Sequence, residues 1–598
     1  MSHRIIIFYI SLIFFQLSFS QNESNYIIHS HNDYLQNTPF WTAFSSGSRS
    51  IEIDVFFKDN ELFVCHTLDE IVKDRTVETL YLKPLENALH LSSNKFNEFY
   101  LMFDIKSEAT STLKNLIKLL KEYRSIIQNK NIKIVISGNR PNVNQYVDYP
   151  DYIYFDNQNI NETFTNEVLS KVALTSVDFK SYSVWNGKGR LTHEDEKRVK
   201  AVIAKAKVLQ KPFRFWGTPD SKTAWKLFTD MGVDFINTDM PFECHAYLKT
   251  LSSRTYTSKV FSEVYKPSFK KDGSESSIKN VILMIGDGNG LSQISSAVLA
   301  NSGGLTVTQL KHIGLIKTQS ADDFVTDSAA AGTALATGEK TNNRAIGVDV
   351  NGNAIKNITE VLGTKGFLTG CITTDKMTGA TPSAFYAHQK DRDYSSAIAQ
   401  ELLESKLSLF IGGGANDFES VKLDAKFELH SDLNTFNSDT NKKVGVFISK
   451  EKPLSVLAGR GNLLAEATKK SLAYFKHQQK PFFIMIESAQ IDSFGHENNA
   501  AGVISETIDF DRAITEAIKF AEENEDTLVI VTADHETSGF SMPNGDVANH
   551  TIEGDFSTHD HTGVMVPVFA YGARSLNFTG VYENNQVFHK ILEVLDVD

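Results

Sequence analysis

From Tyr26 onward, short runs rich in β-branched and aromatic residues alternate with longer segments of helical period. Eight runs come first: Tyr26–His29, Ile51–Phe56, Tyr100–Ile105, Ile132–Ser137, Tyr152–Phe155, Thr175–Phe179, Phe213–Trp216 and Val233–Asn237. The clearest helical pattern between them is Glu194–Leu209, with Val199, Val202, Ile203, Ala206 and Leu209 along one face. Thr192 and Asp195 suit its capped start. Eight strands alternating with helices predict an α/β domain of the (β/α)8 barrel type over residues 21–251.

The pattern then lapses. Ser252 to Ser277 reads SSRTYTSKVFSEVYKPSFKKDGSESS, polar with scattered Lys and Ser, and is expected to be a linker. Beyond it, Val281–Ile285, Phe482–Ile486 and Leu528–Val531 are continuous apolar runs, as expected of a parallel sheet covered on both faces. Residues 278–598 are therefore expected to form a second α/β domain, a sandwich around a mostly parallel sheet. Ligands of such sheets bind at the carboxyl ends of the strands.

The front of the chain has a different pattern. Met1 to Arg4 is basic, Ile5 to Phe19 is nearly unbroken apolar sequence around Gln16, and Ser18 and Ser20 are small. This is the pattern of a secretory signal peptide, residues 1–20, cleaved after Ser20. The competing reading is a membrane anchor, but the run is shorter than the ~20 residues a spanning helix needs. A secreted or periplasmic protein is expected, with no transmembrane anchor after cleavage. The net charge of -13 over 598 residues gives no nucleic-acid-binding signal and no general attraction for anionic substrates, so a phosphate site must be built locally. Three cysteines, Cys65, Cys244 and Cys371, make no disulfide framework.

In the C-terminal half, chemistry collects at strand ends. IGDGNG puts Asp287 in a Gly-rich turn, and TDSAAAGTALATG puts Ser328 at the start of an Ala-rich helix. IESAQIDSFGH spaces Glu487, Asp492 and His496, while TADHE and HDHTG add Asp534, His535, His559 and His561. Taken singly, Asp327 is a helix cap, Asp287 a turn residue, and each His a core or surface residue. Together they match the mixed oxygen and nitrogen ligand sets of zinc and magnesium. Serine is a weak nucleophile unless a base or metal lowers its pKa, and two adjacent metals can serve an in-line displacement. That combination is the chemistry of phosphoryl transfer.

Residues 278–598 resemble the alkaline phosphatase family on these motifs, in the family's order. The resemblance implies that Ser328 is the nucleophile of a phosphoserine intermediate and that two zinc ions and one magnesium ion serve it. It assigns Asp492, His496 and His561 to the first zinc, and Asp534, His535, Asp287 and the Ser328 oxygen to the second. Asp287, Thr381 (in ITTDKMTGATPSAF) and Glu487 fall to magnesium, and Arg392 (in YAHQKDRDY) to gripping phosphate oxygens. Members are commonly dimers, so the resemblance leaves a homodimer open, though the sequence carries no decisive interface signal. Two positions depart: Gly379 stands where several relatives carry Asp or His, and Ser493 where some carry Lys, His or Trp. No family role attaches to His559. A sulfatase would need a modified Cys as nucleophile, and Cys371 stands elsewhere. Thr381, Glu487 and Arg392 together favour monoester over diester hydrolysis here.

In the N-terminal half, HSHNDY puts His31 and Asn32 at a strand end, IEIDVFF puts Glu52 and Asp54 on one side of a strand, FVCHT adds His66, and MFDIK adds Asp104 and Lys106. Alone, E-x-D on a strand reads as a solvated face or ion pair, and His31-Asn32 as turn chemistry. At one barrel mouth they would form two acid/base histidines around a divalent cation, an arrangement able to cleave a phosphodiester. Residues Tyr26 to Leu251 resemble the glycerophosphodiester phosphodiesterase and phosphatidylinositol-phospholipase-C-like superfamily. The resemblance implies His31 and His66 as the acid/base pair, Asn32 at the substrate, and Glu52 and Asp54 with Asp104 around Ca(2+) or Mg(2+); Lys106, at the same strand end as Asp104, is a further candidate at the substrate. Asp104 is one methylene shorter than the Glu common there, and HND replaces HRG. Arg214 and Trp216, in RFWGTPD, are candidates to line the mouth.

The expected function is a phosphomonoesterase fused to a phosphodiesterase, acting on small phosphomonoesters and on diesters that yield them. The alternative is a phosphatase carrying a non-catalytic barrel that binds a lipid, glycan or protein surface.

Overall fold

The computed structural model describes residues 26–91 and 97–597; the expected signal peptide, residues 1–20, lies outside the described residues. The chain divides into two compact units between Thr250 and Leu251, within the helix Pro241–Arg254.

The first unit holds β1 (Ile27–Ser30), β2 (Ser50–Lys58), β3 (Glu61–Val64), β4 (Phe99–Ile105), β5 (Ile132–Gly138), β6 (Ile153–Asn157), β7 (Val172–Asp178), β8 (Phe213–Trp216) and β9 (Phe235–Thr238). Eight of these strands are parallel, and β1 pairs with both β2 and β9, so the sheet closes into a barrel. Each of the eight expected runs supplies one barrel strand. The ninth, β3, hangs outside the ring as an antiparallel partner of β2. Its turn residues Asp59 and Asn60 both have positive φ, 49° and 63°, the twist that suits a two-residue hairpin. On β2, Ile51, Ile53 and Val55 join the core between strands and helices, which turns Glu52 and Asp54 to the barrel interior. The helix His193–Lys207 buries Val199, Val202, Ile203 and Ala206, and the Thr192 hydroxyl accepts from the Asp195 N–H at 3.2 Å.

The second unit is built on ten strands in the order Glu428–His430, Val444–Phe447, Leu409–Gly413, Leu368–Lys376, Phe482–Ser488, Asn280–Gly286, Thr527–Thr532, Val566–Tyr571, His312–Lys317 and Gly580–Glu583. Only Val566–Tyr571 runs against its neighbours. Alternate residues of one central strand feed opposite cores: Val281, Leu283 and Ile285 pack with Leu335 of the Ser328 helix, while Ile282 and Met284 pack with Ile508 and Ile514. Burial on both faces is why these runs are apolar throughout.

The stretch Ser252–Ser277 is not a free linker. Thr255–Thr257 pairs antiparallel with Thr551–Asp555, the Ser262 hydroxyl donates to the buried Asp511 carboxylate at 2.8 Å, and the Gly273 N–H donates to the Gly572 carbonyl at 3.0 Å. The polar residues that make it look solvated are spent on these bonds. No described helix is long and apolar enough to cross a membrane.

Candidate active sites

In the second unit, three adjacent parallel strands end together. Glu487 lies beside Ile285, two residues before Asp287, whose N–H donates to the Ser488 carbonyl at 3.0 Å. Asp534 follows Thr527–Thr532 on the other side. Gly288, at φ 70°, lets the turn approach closely, since a Cβ there would stand 2.8 Å from the Asp492 backbone. Its N–H donates to Asp534 Oδ1 at 3.1 Å.

Ser328 is the first residue of the helix Ser328–Thr337, buried, with its hydroxyl 3.2 Å from His535 Nε2. Asp327 caps that helix, accepting from the Ala330 N–H at 2.9 Å, and its other oxygen accepts from Arg392 at 3.0 Å. The capping role and the site role therefore coexist: one carboxylate starts the helix and aims the guanidinium.

Donor atoms converge in two clusters that share His535. One is Asp492, His535 and His561; the other is Asp287, Asp534 and His535. His496 joins the first, its Nε2 3.4 Å from Asp492 Oδ1 and 3.1 Å from His561 Nε2. His496 Nδ1 faces the His559 carbonyl at 2.5 Å and His561 Nδ1 faces the Thr326 carbonyl at 2.8 Å. A carbonyl only accepts, so both rings hold their proton at Nδ1 and present a bare Nε2 to the cluster. Two lone pairs facing each other beside a carboxylate fit a cation between them. Asp287 Oδ1, Asp534 Oδ2 and the Thr381 hydroxyl are buried without a hydrogen bond, which fits the same reading.

The electrostatics agree. Burial, then Asp534 and Asp492, push the Asp287 carboxyl well above its usual range, and burial with Asp492 pushes Asp534 up to about 7. Burial, then the neighbouring Asp375, pushes Glu487 up to about 8. Burial would also raise Asp492, but the facing His496 and His561 Nε2 atoms, where they carry a proton in place of a cation, outweigh it and hold that carboxyl well below its usual range. Carboxylates crowded in this way are relieved by divalent cations. Glu487 lies outside both convergent clusters, and the Thr373 hydroxyl donates to it.

In the barrel, Asp54 on β2 stands directly beside Asp104 on β4, and with Glu52 they form a third convergent cluster. Asp54 Oδ1 and Asp104 Oδ1 are buried without a hydrogen bond. His66 Nδ1 meets Asp54 Oδ2 at 2.7 Å, and His31 Nε2 is 3.8 Å from Glu52 Oε1. Lys106, expected at the substrate, lies 3.2 Å from Asp104 Oδ2 and 3.4 Å from Asp54 Oδ1, among the same carboxylates. Asn32 adopts the left-handed conformation and accepts from the Tyr34 hydroxyl at 3.3 Å. Arg214 does not line the mouth: it is buried and paired with Glu52, whereas Trp216 is partly exposed.

Two barrel residues escape sequence reasoning. His29 is buried inside, 2.8 Å from Glu52, where burial and Arg214 lower it to about 4. Asp239 holds His31 Nδ1 at 2.7 Å. Its signal was present in NTD at the end of the last barrel strand, where an acidic residue faces the mouth.

A buried serine at a helix start, set beside clustered carboxylates and imidazoles at the ends of a parallel sheet, is an arrangement suited to hydrolysis of phosphate esters. The chain belongs to the alkaline phosphatase family, whose model matches residues 278–434, 424–553 and 541–597, together more than half of the chain. Alkaline phosphatase 4 of Bacillus subtilis (strain 168) is 34% identical over 324 residues, covering 50% of this chain and 69% of that protein. The alkaline phosphatase of Escherichia coli (strain K12) is 29% identical over 409 residues, covering 54% and 87%. Among solved structures, the alkaline phosphatase from the Antarctic bacterium TAB5 is 42% identical with a TM-score of 0.51, covering 54% of this chain and 99% of its own. A variant of it has been solved with magnesium bound in the M3 site. Residues 17–113 match an AIM6-like phosphodiesterase domain, and residues 212–241 the glycerophosphoryl diester phosphodiesterase family. The chain thus joins an alkaline phosphatase domain to a phosphodiesterase-like domain.

Proposed function

We propose that the chain is an exported bifunctional hydrolase whose barrel cleaves a phosphodiester to a monoester and whose second unit releases inorganic phosphate from it. The observation that carries the phosphatase half is Ser328 at 3.2 Å from His535, the histidine common to both ligand clusters. Ser328 Oγ attacks phosphorus, the P–O bond to the alcohol breaks as the Ser–O–P bond forms, and the alcohol leaves. The serine proton departs with that alcohol; water then cleaves the phosphoserine, its oxygen bonding to phosphorus and one of its protons restoring the Ser328 hydroxyl. Arg392, steadied by Asp327, grips two phosphate oxygens through these steps. Asp492, His496 and His561 would hold one zinc ion, Asp287, Asp534 and His535 a second, and Asp287, Thr381 and Glu487 a magnesium ion; when bound, these would supply charge neutralisation and a lowered serine pKa. The magnesium seen in the TAB5 variant supports that third site.

In the barrel, His31 and His66 exchange protons with the attacking and leaving oxygens; Glu52, Asp54 and Asp104 would hold a divalent cation, which would supply charge neutralisation there. The export pattern of residues 1–20 supports a secreted or periplasmic location.

The test is a paired assay of the full chain, Ser328→Ala and His31→Ala on glycerophosphodiesters and phosphomonoesters, following both monoester and free phosphate. Ser328→Ala should stop phosphate release and let monoester accumulate from a diester. Full monoesterase activity in Ser328→Ala would overturn the nucleophile assignment. Absence of monoester from every diester offered would favour the non-catalytic, surface-binding barrel.

A further inference from the structure

Two departures from the family pattern, Gly379 and Ser493, remove a charged or ring-bearing side chain from the neighbourhood of Glu487 and Asp492. The structure fills both places from other parts of the chain. A Cβ at Gly379 would stand 2.7 Å from Asp375 Oδ2, so the Asp375 carboxylate lies where a side chain at 379 would begin. The Ser493 hydroxyl accepts from Lys452 Nζ at 2.8 Å, and that ammonium is 3.9 Å from Asp375 Oδ1. Asp375 and Lys452 act on Glu487 with opposite signs.

This is a built arrangement. The strand Leu368–Lys376 shifts register between Ile372 and Lys376, an irregularity that re-aims the residues at its end. Asp375 is fixed there, its N–H donating to the Thr373 hydroxyl at 2.8 Å, the same hydroxyl that donates to Glu487. The loop carrying Lys452 is tied beside it: Lys376 pairs with Glu451 at 2.8 Å, crossing the Asp375–Lys452 pair one residue along on each side. Gln490 donates to the Pro453 carbonyl at 3.0 Å, and the Val456 N–H donates at 2.8 Å to Glu506, itself held by the buried Arg460. A long, half-exposed lysine on a loop anchored at both sides loses little further freedom in keeping this position.

We infer that Asp375 and Lys452 are positioning residues of the third metal site, Asp375 supplying the negative charge that glycine at 379 omits and Lys452 the positive charge that serine at 493 omits. The inference rests on the reading of Asp287, Thr381 and Glu487 as a magnesium site. An anionic neighbour orients what a ligand set holds, and its loss typically weakens metal binding about 10- to 100-fold. A partly exposed ammonium bonded to Ser493, the residue after Asp492, adds positive charge on this side of the site, an effect on anion binding of about 3- to 10-fold.

The experiment is calorimetric titration of the zinc-loaded full chain with Mg(2+), together with the inhibition constant for inorganic phosphate. Asp375→Ala should weaken Mg(2+) binding by about 10- to 100-fold. Asp375→Ala combined with Gly379→Asp should restore it, because Gly379 has φ -59°, open to any L-residue, and the substitution removes the Asp375 oxygen at 2.7 Å, leaving the Lys376 carbonyl oxygen at 3.0 Å to give by a few tenths of an ångström. Lys452→Ala should raise the phosphate inhibition constant about 3- to 10-fold, and adding Ser493→Lys should bring it back. Unchanged Mg(2+) and phosphate affinities in the single variants, with wild-type binding intact, would overturn this inference alone. Loss without rescue by the relocated charges would reduce both residues to structural roles and overturn it too. A wild-type chain that takes up no Mg(2+) would instead overturn the magnesium-site reading beneath it.

Discussion

His496 and His559 exchange hydrogen bonds: His496 Nδ1 faces the His559 carbonyl at 2.5 Å, and His559 Nδ1 faces the His496 carbonyl at 2.9 Å. Each residue fixes the other's ring and backbone. His559, without a role in the family pattern, thereby sets which nitrogen of His496 faces the cluster. His559→Ala should speed zinc loss to a chelator and lower kcat/KM at limiting zinc by about tenfold, with recovery at saturating zinc. A chelation rate equal to wild type would refute the link.

Asp327 ties two tasks together, capping the Ser328 helix and holding Arg392. Arg392→Lys keeps the charge and loses the planar fork. It should raise KM for a monoester and the phosphate inhibition constant about tenfold with a smaller change in kcat. Asp327→Asn can still cap a helix but holds the guanidinium less firmly, so it should shift KM in the same direction while thermal stability stays near wild type. Steady-state kinetics beside a melting curve separates the two tasks.

His388, in the segment leading to Arg392, contacts Glu401 at 3.3 Å and Glu360 at 3.2 Å. Burial would lower its pKa, but the two carboxylates outweigh burial and raise it to about 9. A histidine raised above its unfolded value contributes stability that is complete below pH 6.5 and fades as pH climbs toward 9. His388→Gln should therefore flatten the pH dependence of unfolding in that window, removing on the order of 2 kcal/mol measured at pH 6.5 and much less at pH 9.5. Denaturant melts at the two pH values give the answer; equal losses at both would refute it.

Asp239, itself exposed, pairs with His31 Nδ1 at 2.7 Å and so holds the ring of the proposed acid/base histidine. Burial lowers the His31 pKa, and the bonds and charges of Asp239 and Glu52 more than reverse it. Asp239→Asn should move the His31-governed limb of the diesterase pH profile to lower pH and reduce kcat about 10- to 100-fold. Monoesterase activity in the same preparation should be untouched and serves as the folding control.

Strand ends were legible because burial on two faces forces an apolar run, and the polar residue that breaks it marks the mouth. Asp287, Glu487 and Asp534 were found in this way. The β2–β3 hairpin was missed although Asp59–Asn60 carries its turn chemistry, since β3 is only four residues long. Asp239 and Lys452 were missed for another reason. Their partners, His31 and Ser493, lie far away in the sequence, and barrel closure in one case and an anchored loop in the other bring them together. His29 looked like a neighbour of the candidate histidine, yet its position on the interior face of β1 pairs it with Glu52. Local pattern reveals what a strand or helix needs; it does not reveal which distant loop will complete a charge.

The pairing of Thr255–Thr257 with Thr551–Asp555 changes where the phosphatase can be cut. Truncation at residue 278 would strip an edge strand from the three-stranded sheet Thr255–Thr257, Thr551–Asp555 and Ser541–Asp546, baring its ladder to other chains. It would also leave Asp511 without the Ser262 hydroxyl. A stand-alone phosphatase fragment therefore has to begin upstream of Thr255, within a few residues of the division of the chain between Thr250 and Leu251.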